Sequence, residues 1–171
     1  MSDCAKKTLV VYFSRAGQNY VSGDIVELER GNGQVLAEFA AQATGGELFQ
    51  IAAAQAYPAD YRECVQRARD EKAACLRPAL AADADPAPYD QVVLVYPNWC
   101  GTMPMPVYTW LEAHDFAGKT IRPLCTHEGS GMSATEREIA AACPGATVAR
   151  GLAVKGSEAP RSQAAVQAWL A

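Results

Sequence analysis

Between Thr8 and Gly17 the chain reads T-L-V-V-Y-F-S-R-A-G, a run of strand formers that stops at a serine and turns on a glycine. Leu9, Val10, Val11, Tyr12 and Phe13 are apolar without alternation. A strand wetted on one face would alternate, whereas an unbroken run suits a strand covered on both faces, the condition of a parallel sheet flanked by helices. Open sheets of that kind take ligands in the crevice beyond the carboxyl ends of their strands. The loop opening at Ser14 is therefore expected to carry function. A second run, Q-V-V-L-V-Y from Gln91 to Tyr96, has the same character and empties into P-N-W-C-G-T-M-P.

The intervening chain alternates strand and helix patterns. Gln18 to Arg30 is polar and punctuated by glycine, so it reads as a loop or small hairpin. From Gly33 the residues Val35, Leu36, Phe39, Ala40 and Ala43 share one helical face, and Thr44-Gly45-Gly46 ends it with a glycine cap. Glu47 to Ile51 is a short strand, after which Asp60 can cap a helix carrying Tyr61, Cys64, Val65, Ala68 and Cys75. Pro78 to Tyr89 is a connector. Beyond Gln91 to Tyr96 come a helix with Val107, Trp110, Leu111 and His114, a strand Thr120 to Cys125, and T-H-E-G-S-G. Ser133 and Glu136 form the pattern of a capping box before Ile139 and Ala140, with Pro144-Gly145 as the stop. A strand within Thr147 to Val154 and a helix through Val166, Trp169 and Leu170 complete the chain. Strand and helix alternate five times, which implies an α/β three-layer sandwich with a five-stranded parallel sheet and right-handed crossovers, folded as one domain over residues 1–171.

Composition removes several function classes. A formal net charge of -4 with scattered Lys and Arg gives no footprint for nucleic acid. Cysteines at 4, 64, 75, 100, 125 and 143 include no C-x-x-C pair, and His114 and His127 lie near no cysteine at ligand spacing, so no metal site is expected. The start M-S-D-C-A-K-K has no apolar segment before the first strand and no later run could span a membrane, so a reduced, cytoplasmic setting is expected.

In a parallel sheet the loops after the first, third and fourth strands meet at one edge. The first offers Ser14 and Gly17, then Gly31-Asn32-Gly33 before a helix start, a place where free N–H groups and the helix dipole bind phosphate without a lysine. Taken alone it is equally well a plain turn. The second sets the indole of Trp99 beside Cys100 and Gly101, which suits a planar ring that stacks while glycine lets backbone N–H groups reach its edge. The third, Thr126 to Gly131, adds small residues and backbone donors. Together they point to a phosphorylated, flat cofactor. Neither G-x-G-x-x-G nor G-K-[ST] is present for a dinucleotide or nucleoside triphosphate.

The segments Y-F-S-R-A-G, G-N-x-x-x-x-A, Y-P-x-D-Y, Y-P-N-W-x-G-T-M-P, F-x-G-K and T-H-E-G-S-G, in this order, resemble the flavodoxin-like FMN proteins, in particular short single-domain bacterial flavodoxins. The resemblance covers essentially the whole chain and implies strand order 2-1-3-4-5 with non-covalent FMN. It assigns the phosphate to Ser14, Arg15, Ala16, Gly31, Asn32, Gly33 and Gln34, and the isoalloxazine to Pro97, Asn98, Trp99, Cys100, Gly101, Thr102, Thr126, His127, Glu128, Gly129 and Gly131. Two positions depart from the family pattern: Gly33 stands where threonine is usual at the helix start, and Cys100 where a second tryptophan often stands. Of two registers for the phosphate loop, the one that treats Gly17 to Arg30 as an excursion is preferred, because only Gly31-Asn32-Gly33 leads directly into a helical face. On that register Asn19 is expected to matter little to FMN.

The resemblance implies an electron carrier that exchanges electrons with redox partner proteins. A small FMN reductase acting on quinones or nitro compounds with NAD(P)H is the alternative, with His127 or Glu128 as proton donor. A third reading is a flavodoxin-fold interaction module without flavin.

Overall fold

The computed structural model describes residues 6–171. Cys4 and the polar start lie outside the described residues. The first run forms β1 (Thr8–Tyr12), whose Leu9, Val10 and Val11 are almost completely buried. An antiparallel hairpin follows, β2 (Gly17–Val21) and β3 (Asp24–Leu28), then α1 (Asn32–Thr44), β4 (Glu47–Gln50) and α2 (Tyr61–Ala73). The second apolar run is β5 (Gln91–Pro97), succeeded by α3 (Met105–Ala113), β6 (Thr120–His127) and α4 (Thr135–Ala142). The end of the chain comprises β7 (Thr147–Val148), β8 (Leu152–Lys155), a 3-10 helix over Gly156–Arg161 and α5 (Gln163–Leu170).

The main sheet runs β4-β1-β5-β6-β7, with β8 also on β6, and every pairing in it is parallel. This is the order expected from the sequence, with the last strand divided. Its division has a local cause: the Glu136 carboxylate accepts the Gly151 N–H at 2.6 Å, drawing the chain off the ladder between β7 and β8.

Burial explains why the strands do not alternate. One face of the sheet packs Val11, Phe13, Val92, Leu94 and Tyr96 against Met103, Val107, Trp110 and Ile139 of α3, α4 and their loops. The other packs Val10, Val93, Val95 and Leu124 against Leu36, Ala37 and Ala40 of α1 and Val166 of α5. Each strand residue therefore meets apolar surface whichever way it points. All these side chains are within a few per cent of full burial, a state worth about 1.5–3 kcal/mol for each large aliphatic.

Several local expectations are corrected. Ser133 does not cap α4: its backbone is left-handed (φ 49), its hydroxyl bonds the Asn98 carboxamide and the Ser130 carbonyl, and Ala134 occupies the cap. Glu136 is committed to Gly151 instead of the reciprocal cap bond. Cys75 falls beyond the end of α2, left-handed and exposed. His114 ends α3 rather than continuing it, and its Nε2 meets Asp83 at 2.8 Å. Asp60 caps α2 as its chemistry suggests, Oδ1 accepting the Glu63 N–H at 3.0 Å.

Candidate functional site

The carboxyl ends of β1, β5 and β6 open onto a cavity of about 220 Å³. Of the residues singled out from sequence, Ser14, Arg15, Asn32, Gly33, Pro97, Asn98, Trp99, Thr126, His127 and Glu128 line it. Ala16, Gly31, Gln34, Cys100, Gly101, Thr102, Gly129 and Gly131 are not in that wall. The reasons are specific. The Thr102 hydroxyl is buried between Tyr108 and the Glu138 carboxylate, and the Gln34 carboxamide turns along α1 to Glu38. Cys100 and Gly101 are the left-handed corner residues of a tight turn closed by mutual Trp99–Thr102 backbone bonds. Ala16 faces a neighbouring cavity, and Cys100 another.

At the β1 end, two glycines let the loop and helix touch. A Cβ on Gly31 would stand 2.1 Å from Ser14 Oγ and 2.7 Å from the Arg15 carbonyl oxygen, and one on Gly33 would stand 2.8 Å from the Phe13 carbonyl oxygen. The threonine usual at position 33 is thus sterically barred here. Gly31 caps α1 without any side-chain bond and the first turn holds no acid, so its leading N–H groups are left to whatever enters the cavity. The Ser14 hydroxyl is buried beside them and has no hydrogen-bond partner among the described residues. An orphaned buried hydroxyl costs on the order of 1–3 kcal/mol, so one held at a helix start marks a place for a ligand acceptor.

The guanidinium of Arg15 is not free for an anion. It donates to the Gln18 carbonyl, and at 2.7 Å each to those of Pro58 and Ala59, clamping the hairpin to the segment before α2. Glu128 is similarly committed: Oε2 accepts the Ser22 N–H at 2.9 Å, strapping the hairpin tip to the β6 loop. Gly156 makes room for this, since a Cβ there would lie 2.2 Å from Glu128 Oε1 and 2.7 Å from the Asn32 carboxamide nitrogen. His127 accepts the Gly129 N–H at Nδ1 (2.9 Å), which leaves the ring proton on Nε2.

Trp99 is half-buried. Its indole stands edge-on to Phe13 (centroids 5.1 Å apart, 83°) and to Tyr57 (5.2 Å, 82°). Below it, Asn98 spans the site, donating to the Gly131 carbonyl and Ser133 hydroxyl while accepting the Gly101 N–H. The β5 and β6 loops are thereby fixed to each other.

Sequence reasoning missed four lining residues of consequence: Phe13, Asn19, Tyr20 and Tyr61. Asn19 donates its carboxamide N–H to the Arg15 carbonyl at 2.8 Å and shapes the loop. The signal available was Asn19-Tyr20 within a hairpin whose Ser22-Gly23 corner has both residues left-handed (φ 51 and 97).

The profile described as Flavodoxin matches residues 7–171. The chain belongs to the flavodoxin family. Among solved structures, a candidate flavoprotein from Bacteroides uniformis is 29% identical, with 97% of this chain and 98% of that one covered and a TM-score of 0.75. A candidate flavoprotein from Bacteroides eggerthii is 28% identical, with 96% of each chain covered and a TM-score of 0.77. A Lactobacillus acidophilus flavoprotein in complex with FMN shares the fold at 21% identity and a TM-score of 0.65, with 92% of this chain and 98% of that chain covered. No curated protein matches the chain. No helix among the described residues of this flavodoxin-family protein is long and apolar enough to cross a membrane.

Proposed function

We propose that the protein binds FMN non-covalently and exchanges electrons with redox partner proteins in the cytoplasm, its 171 residues acting as one domain. The observation that carries this reading is the Ser14 hydroxyl, buried and unpartnered beside the uncapped start of α1. Ser14, the N–H groups of Asn32, Gly33 and Gln34, and the backbone of Arg15 and Ala16 would hold the phosphate. Hydrogen bonds from neutral groups and a helix N-terminus to such a charge are each worth about 1.5–3 kcal/mol. Trp99, Asn98 and the Thr126–Gly131 loop would hold the ring, the indole presenting apolar surface and the loop presenting backbone donors. When bound, FMN supplies one- and two-electron chemistry, and the protein supplies orientation and electrostatics.

One observation favours a second reading, a reductase acting on a small oxidant: His127 faces the cavity with its proton held on Nε2, placed to donate. Glu128 supports it less, being tied to Ser22.

A single experiment addresses both. FMN is added to purified protein, flavin fluorescence is followed, and the gel-filtered product is examined by absorbance. Quenched fluorescence and a yellow protein are expected; a colourless product with unquenched flavin would leave only the interaction module. Sluggish oxidation of NAD(P)H by the yellow protein with quinone supports the carrier, and brisk oxidation supports the reductase.

A further inference from the structure

A second cavity, of about 230 Å³, lies between α2 and the turn that joins β5 to α3. It shares Trp99 with the cavity described above but takes in neither the α1 start nor the Thr126–Glu128 loop. Two free thiols face each other across it, Cys64 from α2 and Cys100 from the turn. Cys64 is buried, at 4% exposure, whereas Cys100 is exposed. Neither takes part in the function proposed above.

The turn is seated on the face of α2 that carries Cys64. Cys64, Ala68 and Lys72 follow one another at four-residue intervals, so they stack along one side of the helix. The Lys72 ammonium donates to the Cys100 carbonyl, and a helical side chain leans toward the N-terminus of its helix, which brings the turn back toward Ala68 and Cys64. Ala68, the residue between, puts only a methyl group in the way. Burial pushes the Cys64 thiol up, and the like charge of an ionised Cys100 adds to that shift, so the two sulfurs lie within electrostatic reach of each other.

We propose that Cys64 and Cys100 are a peroxide-oxidisable pair that closes reversibly into a disulfide, Cys100 being the attacking thiol and Cys64 the resolving one. The roles follow from access: only the exposed sulfur meets a solute, and the buried one stays a thiol until its neighbour is oxidised. The Cys100 sulfur attacks one oxygen of hydrogen peroxide, the O–O bond breaks, and sulfenic acid and water result. The Cys64 sulfur then attacks the sulfenic sulfur, the S–O bond breaks, and the oxygen leaves as a second water with the Cys64 proton. Two thiols have lost two electrons and the peroxide has gained them. The bond ties α2 to the turn that carries Trp99. Disulfides of this transient, sensing kind are those that a reduced compartment permits.

The test treats the purified full chain with hydrogen peroxide, denatures it in iodoacetamide, and maps the cysteines by mass spectrometry after tryptic and chymotryptic digestion. Iodoacetamide uptake should fall by two of the six thiols, with the Cys64 and Cys100 peptides joined, and dithiothreitol should restore both. Cys75, also exposed, is the control, and Cys75→Ser should leave the bond unchanged. Cys100→Ser should abolish it and leave Cys64 unoxidised. Cys64→Ala should halt Cys100 at the sulfenic acid, trapped by dimedone. Cys100→Ser alters only an exposed side chain, so it decides the matter even where the core substitution fails to fold. A Cys100 that stays reduced, that stops at the sulfenic acid in the parent, or that pairs with any other cysteine or with a second molecule overturns the proposal, as does oxidation of Cys64 in Cys100→Ser.

Discussion

Asn32 and Gly33 show how much of the site can be decided by single residues. Asn32 is the first residue of α1 and follows Gly31 at φ -63, ψ 152, an extended conformation that a following proline demands. Proline is favoured at a first helical position, where its missing N–H has no intrahelical acceptor. Asn32→Pro therefore removes a donor from the cavity, along with a carboxamide, without breaking the helix. FMN affinity is expected to fall at least tenfold while urea unfolding shifts by no more than about 1 kcal/mol, the size of one charge-assisted bond against a tolerated substitution. Equal loss in both measurements would place the role of Asn32 in folding. Gly33 was visible in the sequence as a departure from the family pattern, but its reason was not. The Phe13 carbonyl oxygen fills the space of a side chain, a fact of backbone approach that no local pattern encodes.

Among the elements, the strands were legible because both faces are buried, so β1 and β5 announce themselves by composition alone. The hairpin could be read only as a loop or small hairpin, because its residues contribute to neither core and carry no burial pattern to fix its strands. The capping box misled for a related reason. Ser133 and Glu136 have the right spacing, but the tertiary partners Asn98 and Gly151 take both side chains. Since Gly31 already packs against the Arg15 backbone, the ends left by deleting Gly17 to Arg30 lie close together. The deletion variant is expected to keep its thermal midpoint within a few degrees. FMN should still bind but dissociate about tenfold faster or more, because Asn19 and the strap from Ser22 to Glu128 are gone. A stopped-flow exchange against excess riboflavin measures that rate, and an unchanged rate would show that the hairpin does not cover the cofactor.

At the scale of the whole molecule, burial sets how the protein responds to alkali. The thiols of Cys125 and Cys143 are each pushed up to about 12 by burial, and burial likewise raises the Tyr96 phenol. In the unfolded chain these thiols ionise near 9, so above that pH the unfolded state holds fewer protons than the native one. Stability should hold below about pH 9 and fall as pH rises toward 12, by up to about 1.4 kcal/mol per pH unit for each thiol. Denaturant titrations at pH 8, 9 and 10 check this, and a Cys125→Ala variant should show the shallower slope. The bond from Ser22 to Glu128 joins residues 106 apart in sequence, and Gly156 must lie beside Glu128 for it to fit. The cavity is thus completed only once Glu128 and Gly156 have left the ribosome. A nascent chain holding only β1, the hairpin and α1 possesses the α1 end of the cavity without its opposite wall of Trp99, Thr126 to Glu128 and Gly156, so a ligand of this cavity is expected to enter after those residues emerge rather than to guide the folding of the earlier ones.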